Sequence, residues 1–218
     1  MDVIEVGDQY YIHAKSSMAD DRTRVLKHGD TFAVFDRYGD IQPVGMGEQG
    51  IFHQGTRFLS RLILNLDGKR PLLLSSTVRE DNVLLAVDLT NLDVSVDGQV
   101  VLPRGSLHLY RSKFLWQGVC YERLRIRNYG LYPVDVSLSV RFESDFADIF
   151  EVRGQKREKR GRMLDSAVES CCVVLAYEGL DGMIRRTRVS CAPDPRELTL
   201  GSMVMDVHLE PRQETGRT

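Results

Sequence analysis

Residues 134–142 read VDVSLSVRF, in which Val134, Val136, Leu138, Val140 and Phe142 alternate with Asp135, Ser137, Ser139 and Arg141. Successive side chains of a strand point to opposite faces, so this period of two predicts a half-buried β-strand. The same period returns in Leu62, Leu64 and Leu66, in Leu124 and Ile126, and in Met203, Met205, Val207 and Leu209. Turn signals stand between the runs: Tyr38-Gly39-Asp40, Asp67-Gly68, Asp97-Gly98, Asn128-Tyr129-Gly130 and Asp181-Gly182. Gly supplies the positive φ that tight hairpins require. No stretch longer than about two turns keeps a helical period. Hairpin-linked strands at this spacing predict an all-β fold, a large antiparallel two-sheet β-sandwich with at most short helical turns.

Working outward, LLLSSTVREDNVLLAVDLTNLDV (residues 72–94) reads as two strands around a charged turn, Arg79-Glu80-Asp81-Asn82. The run PLLLSS is apolar on both faces, which suits a central strand. The 218 residues, 42% of them hydrophobic, fit one domain with a sizeable core. The division expected is a partly extended segment over 1–23, one β-sandwich domain over 24–210, and a flexible tail over 211–218, where RQETGRT has nothing apolar to anchor it. A chain with such a tail reads as part of something longer.

The formal net charge of −2 gives no global footprint for nucleic acid or an anionic membrane, so neither is expected as a partner. Asp2, Glu5 and Asp8 interrupt the start where a secretory signal needs a basic and then an apolar stretch, and no run elsewhere approaches a membrane span. A cytoplasmic location is the expectation. The four cysteines, Cys120, Cys171, Cys172 and Cys191, lack C-x-x-C spacing and predict buried, reduced thiols with no disulfide, metal or cofactor. His53, in the glycine-rich GMGEQGIFHQGTRFLS (residues 45–60), has no His or Cys at ligand spacing, and a structural hydrogen bond is its expected role.

Residues 143–162 read ESDFADIFEVRGQKREKRGR, acids among aromatics followed by a basic run. Glycoside hydrolysis uses two facing carboxyl groups, which draws attention to Asp145, Asp148 and Glu151. Phe146, Ile149 and Phe150, however, fall at i, i+3 and i+4, and predict one helical turn pressed onto the sheets, capped by Ser144 or Asp145. This structural reading outweighs a catalytic one. The run from Arg153 to Arg162 has six basic residues and one acid but no interleaved aromatics, so a solvated loop is expected. Tyr110 and Trp116 lie six apart and point to one face of one strand, compatible with a sugar-stacking platform, although an ordinary core position is the more frequent role for such aromatics.

Taken together, GDTFAVFDRYGDI (29–41), GEQGIFHQGTRFLSRLILNLDGKRPLLLSSTVREDN (47–82) and DFADIFEVRG (145–154) resemble the N-terminal domain of bacterial amylo-alpha-1,6-glucosidase-like proteins, the glycogen debranching enzymes. The likeness spans residues of about 24 to 210. It implies a large, supersandwich-like two-sheet domain followed in the same polypeptide by an (α/α) barrel that carries the glycosidase carboxylates. The resemblance thus makes this part non-catalytic, with the barrel as its partner and an α-glucan as a further one. It also implies that Arg57, Asp145, Asp148, Glu151 and Arg153 sit at a corner facing the barrel or the rim of its cleft. The alternative is an autonomous glucan-binding module, for which the Tyr110 and Trp116 face is the discriminating feature.

Overall fold

The run read above as a half-buried strand is the strand Val134–Glu143 in the computed structural model. Residues 23–43 and 47–218 are described in full, preceded by the backbone of two short strands, Val3–Val6 and Gln9–Ile12. The reading of residues 1–23 therefore lies largely outside the described residues, as does Gly45. Val136, Leu138 and Phe142 are buried, and each meets apolar partners across the ladder: Leu138 opposes Leu66 and Met205, Val136 opposes Val207, and Phe142 opposes Leu62. All these partners belong to the alternating runs picked out in the sequence. Each large aliphatic side chain buried this way stabilises the fold by about 1.5–3 kcal/mol.

The described chain is 58% strand and 2% helix, which makes it nearly all-β. Every strand pairing is antiparallel. A five-stranded sheet runs, in spatial order, Glu214–Arg217, Val119–Asn128, Leu107–Trp116, Leu84–Thr90 and Leu72–Val78. A second sheet orders Glu197–Thr199, Ser202–Leu209, Val134–Glu143 and Arg61–Leu66. A third orders Arg24–His28, Thr31–Phe35, Gly50–His53 and Thr56–Leu59. In a fourth, Cys172–Glu178 pairs with Arg162–Met163 and Ala167–Glu169 on one side and Ile184–Ser190 on the other. Two small hairpins complete the set, one of them Val94–Val96 with Gln99–Leu102. The strands thus divide among more sheets than the two expected. One apolar core nevertheless draws side chains from all four larger sheets.

Turn chemistry sets the register. At Asp67-Gly68 and Asp97-Gly98 both residues take positive φ, as a two-residue hairpin in right-twisted strands requires. Gln117-Gly118 does the same between the two longest strands of the five-stranded sheet, without the Asn or Asp that would have announced it. Two expectations are corrected. The Leu72–Val78 strand is an edge of its sheet, with Leu74 exposed, because apolarity on both faces does not tell an edge from a centre. The stretch after Pro211, read as a loose tail, pairs through Glu214–Arg217 with Leu124–Arg127; backbone hydrogen bonds anchor it where side chains do not. Of the cysteines, all free, only Cys172 is buried and the other three are half-buried.

Candidate functional site

The acidic segment turns a corner at Phe146, which takes a φ of 49° and is buried. Its ring stacks on Tyr177 at 5.4 Å and meets Phe58 edge-on at 5.7 Å. The next residues then fold into one short helix, Ile149–Val152, whose N-cap is Asp148 rather than Ser144 or Asp145. The Phe150 N–H donates to Asp148 Oδ1 at 2.9 Å, and the Asp148 N–H donates to Glu151 Oε2 at 2.9 Å, a reciprocal capping box. Of the expected apolar triad only Phe146 is fully buried. Ile149 is half-buried and Phe150 is 55% exposed, because the helix buries Val152 instead, with Ala147, against Phe52.

Asp145 plays a different part. Arg57 Nε donates to Asp145 Oδ1 at 3.1 Å, and Arg57 Nη2 bonds the other carboxylate oxygen, closing a two-pronged pair. The same guanidinium reaches the carbonyls of Gly47 and Gln49. Gly50 must be glycine for this, since a Cβ there would stand 2.5 Å from Arg57 Cδ. The basic run is the exposed loop expected of it, residues 153–160 all facing solvent, and it folds back on the acids. Arg157 pairs with Asp148 at 3.0 Å, and Arg160 pairs with Glu151 at 3.1 Å while donating to the Asp145 carbonyl at 2.8 Å. Arg153 alone of the predicted set is exposed with no carboxylate in ion-pair range among the described residues. A cavity of about 280 Å³ lies beside this corner, bounded by Arg157, Arg160, Asp181 and Arg185.

Tyr110 and Trp116 share the outer face of the Leu107–Trp116 strand, as their spacing predicts. Trp116 is 52% exposed and packs on His28, with ring centres 4.6 Å apart. Tyr110 is half-buried beneath the Arg125 guanidinium, 4.7 Å from its ring centre. Between them in sequence, Phe114 stacks on Tyr121, its directly paired neighbour, at 4.9 Å and 13°. The sequence reading passed over Phe114, although its even number places it on the same face.

On the opposite face of that strand the reading missed more. Arg111 and Lys113 are buried among Leu109 and Leu115, interrupting an apolar stripe with two cations. Arg111 donates to Glu122 and to Asp40, each at 2.7 Å, and Lys113 bonds the second Glu122 oxygen. Asp40 also accepts from Arg70, which in turn pairs with Asp36. Burial pushes the Glu122 carboxyl up, but Arg111 and Lys113 outweigh it and hold it down to about 2. Burial lowers Lys113 and pushes the Cys120 thiol up to about 11. Asp36 and Asp40 of GDTFAVFDRYGDI thus serve a buried ion network. His53 bonds Thr31 Oγ1 at 2.8 Å, the structural role expected of it. Among the described residues no group of three or more His, Cys, Asp and Glu could hold a metal, and no helix is long and apolar enough to cross a membrane.

The architecture is that of a nearly all-β domain of several antiparallel sheets around one core, whose charged corner is closed by its own ion pairs. Residues 26–217 match the family described as the N-terminal domain of some glycogen debranching enzymes, and the chain belongs to that family. No match is found among curated proteins.

Proposed function

We propose that this chain is the non-catalytic N-terminal domain of a glycogen-debranching-type glycoside hydrolase, supporting a catalytic (α/α) barrel in the same polypeptide. Family membership supports the parent class. The observation that carries the non-catalytic role is the closure of the acidic corner: Asp145, Asp148 and Glu151 have their oxygens occupied by Arg57, Arg157, Arg160 and backbone N–H groups. A glycosidase acid must instead face its substrate. The exposed Phe150 and Arg153 on the outer side of the same helix form a mixed apolar and charged surface of the kind that meets another domain. The test is glucose release from a branched α-glucan by the 218-residue chain alone. None is expected; release abolished by Asp145→Asn or Asp148→Asn would make the corner an active site and overturn the proposal.

The two-layer stacking implied for this family belongs to the same proposal. Support comes from the inner faces of the five-stranded sheet (Leu85, Val87, Leu89, Leu109 and Ile126) and of the Val134–Glu143 sheet (Leu64, Leu138 and Met205), which share one core. An experimental density map with these two sheets edge to edge would contradict the stacking.

A second reading, direct contact with α-glucan, is favoured by the exposed ring surface of Phe114, Trp116 and Tyr121, since flat aromatic faces suit sugar rings. Trp116 is the single tryptophan, so its fluorescence reports on that face alone. Linear α-glucan at millimolar concentration should quench it in the unsubstituted 218-residue chain but not after Tyr121→Ala; an unchanged signal in the unsubstituted chain removes this reading.

A further inference from the structure

A cleft of about 940 Å³ separates the Val119–Asn128 strand from the Ile184–Ser190 strand. Its two walls are sheet edges. Ile184–Ser190 pairs with Cys172–Glu178 on one side and, among the described residues, with no strand on the other. Val119–Asn128 is covered by Glu214–Arg217 only from Leu124 onward, which leaves Val119–Arg123 without a described strand partner on the cleft side. The floor is apolar, with Leu62, Val140, Met203 and Met205.

The backbone pattern shows what these edges lack. The two-residue turn at Gln117-Gly118 makes Trp116 and Val119 a mutually bonded pair. Alternation along the strand then turns the N–H and C=O of Cys120 and Glu122 toward the cleft, where no backbone hydrogen bond from across it reaches them among the described residues. Half-buried backbone groups of this kind ordinarily find partners. At the mouth of the cleft Thr218 sits between the walls: its N–H donates to the Ala192 carbonyl at 2.9 Å, and its carbonyl accepts from the Ala192 N–H at 2.6 Å. Arg217 opposes Leu124 on the other wall. The strand direction at Thr218 therefore leads between the two free edges, antiparallel to both.

We infer that this cleft is the seat of one further β-strand, formed by the polypeptide that follows Thr218 in the parent enzyme and paired with Val119–Arg123 on one side and the Ile184–Ser190 strand on the other. The inference rests on the reading of this chain as the N-terminal part of a longer enzyme. Continuing the register, the first residue after Thr218 opposes Glu122, the second Tyr121 and the third Cys120. The first and third point inward over the apolar floor, near Cys191 and Val189, and are apolar by this account; the second points to solvent. Such a strand joins the five-stranded sheet to the sheet of Cys172–Glu178.

Hydrogen exchange tests this on the parent enzyme and on the 218-residue chain. Peptides covering Val119–Arg123 and Ile184–Ser190 should exchange roughly 100-fold more slowly in the parent. Proline at the first and third positions after Thr218 removes the N–H groups that meet Glu122 and Cys120, and should restore fast exchange there while Leu84–Thr90 stays protected as a control of folding. Fast exchange in the unmodified parent, or protection that survives the prolines, overturns the inference. Should the proline variant fail to fold, a cross-link decides: Tyr121→Cys with a cysteine at the second position after Thr218 opposes two residues at non-hydrogen-bonded spacing, which a disulfide can span. Its formation under mild oxidation in the parent supports the strand, and its absence refutes it. Glucose release by the 218-residue chain would refute the non-catalytic reading and leave both of these readouts unchanged.

Discussion

Glu122 faces two buried cations, Arg111 and Lys113, and is the anion that makes their burial tolerable. Removing one partner of a buried pair leaves the other charge uncompensated, so Glu122→Gln should destabilise the domain by about 3 kcal/mol, read from urea unfolding at neutral pH. The pH dependence follows from its depressed carboxyl. A group whose pKa is lower folded than unfolded contributes stability in full above the unfolded value of about 4.3, and that contribution is lost as pH falls toward about 2. The parent should therefore lose stability over this window more steeply than Glu122→Gln; parallel acid limbs would contradict the assignment. None of this was legible in the sequence. Arg111 and Lys113 fall on the inward parity of the strand, but charge read alone sends two cations to the solvent face, and only Asp40, 71 residues away, and Glu122 across the hairpin make their burial possible.

At the scale of elements, the strands with strict alternation were legible because one period satisfies one buried face. Leu138→Asp places an unpaired charge between Leu66 and Met205 and should abolish the cooperative transition in circular dichroism; a variant melting like its parent would show that this face meets water. The short helix was legible from its apolar spacing, whereas its cap and its buried face were not, since the turn at Phe146 rotates Phe150 outward. Asp148→Ala removes the capping acceptor and the Arg157 partner, and should cost about 1 kcal/mol, seen as a lowered melting temperature of the chain. Arg153→Ala, by contrast, should leave that temperature nearly unchanged while weakening the parent's domain docking. Equal losses from both substitutions would make Arg153 part of the internal scaffold. The strand Glu214–Arg217 escaped notice because its pairing rests on backbone groups, on which composition is silent.

For the whole molecule, one core shared by the larger sheets predicts a single cooperative unfolding transition for residues 24–218, checked by agreement of calorimetric and van't Hoff enthalpies. Two separated transitions would divide the domain. The family resemblance was legible in three sequence blocks, and their structural roles differ: the first contributes to the buried ion network, the second supplies Arg57 and two core strands, and the third closes the acidic corner. The central claim is that this closed corner supports catalysis elsewhere in the polypeptide without performing it. The most direct measurement is complementation: the 218-residue chain and the separately produced remainder of the parent are assayed alone and mixed for glucose release from branched α-glucan. The account predicts no release by the chain, weak release by the remainder, and recovery on mixing. Release by the chain alone, or full activity of the remainder without it, would contradict the account.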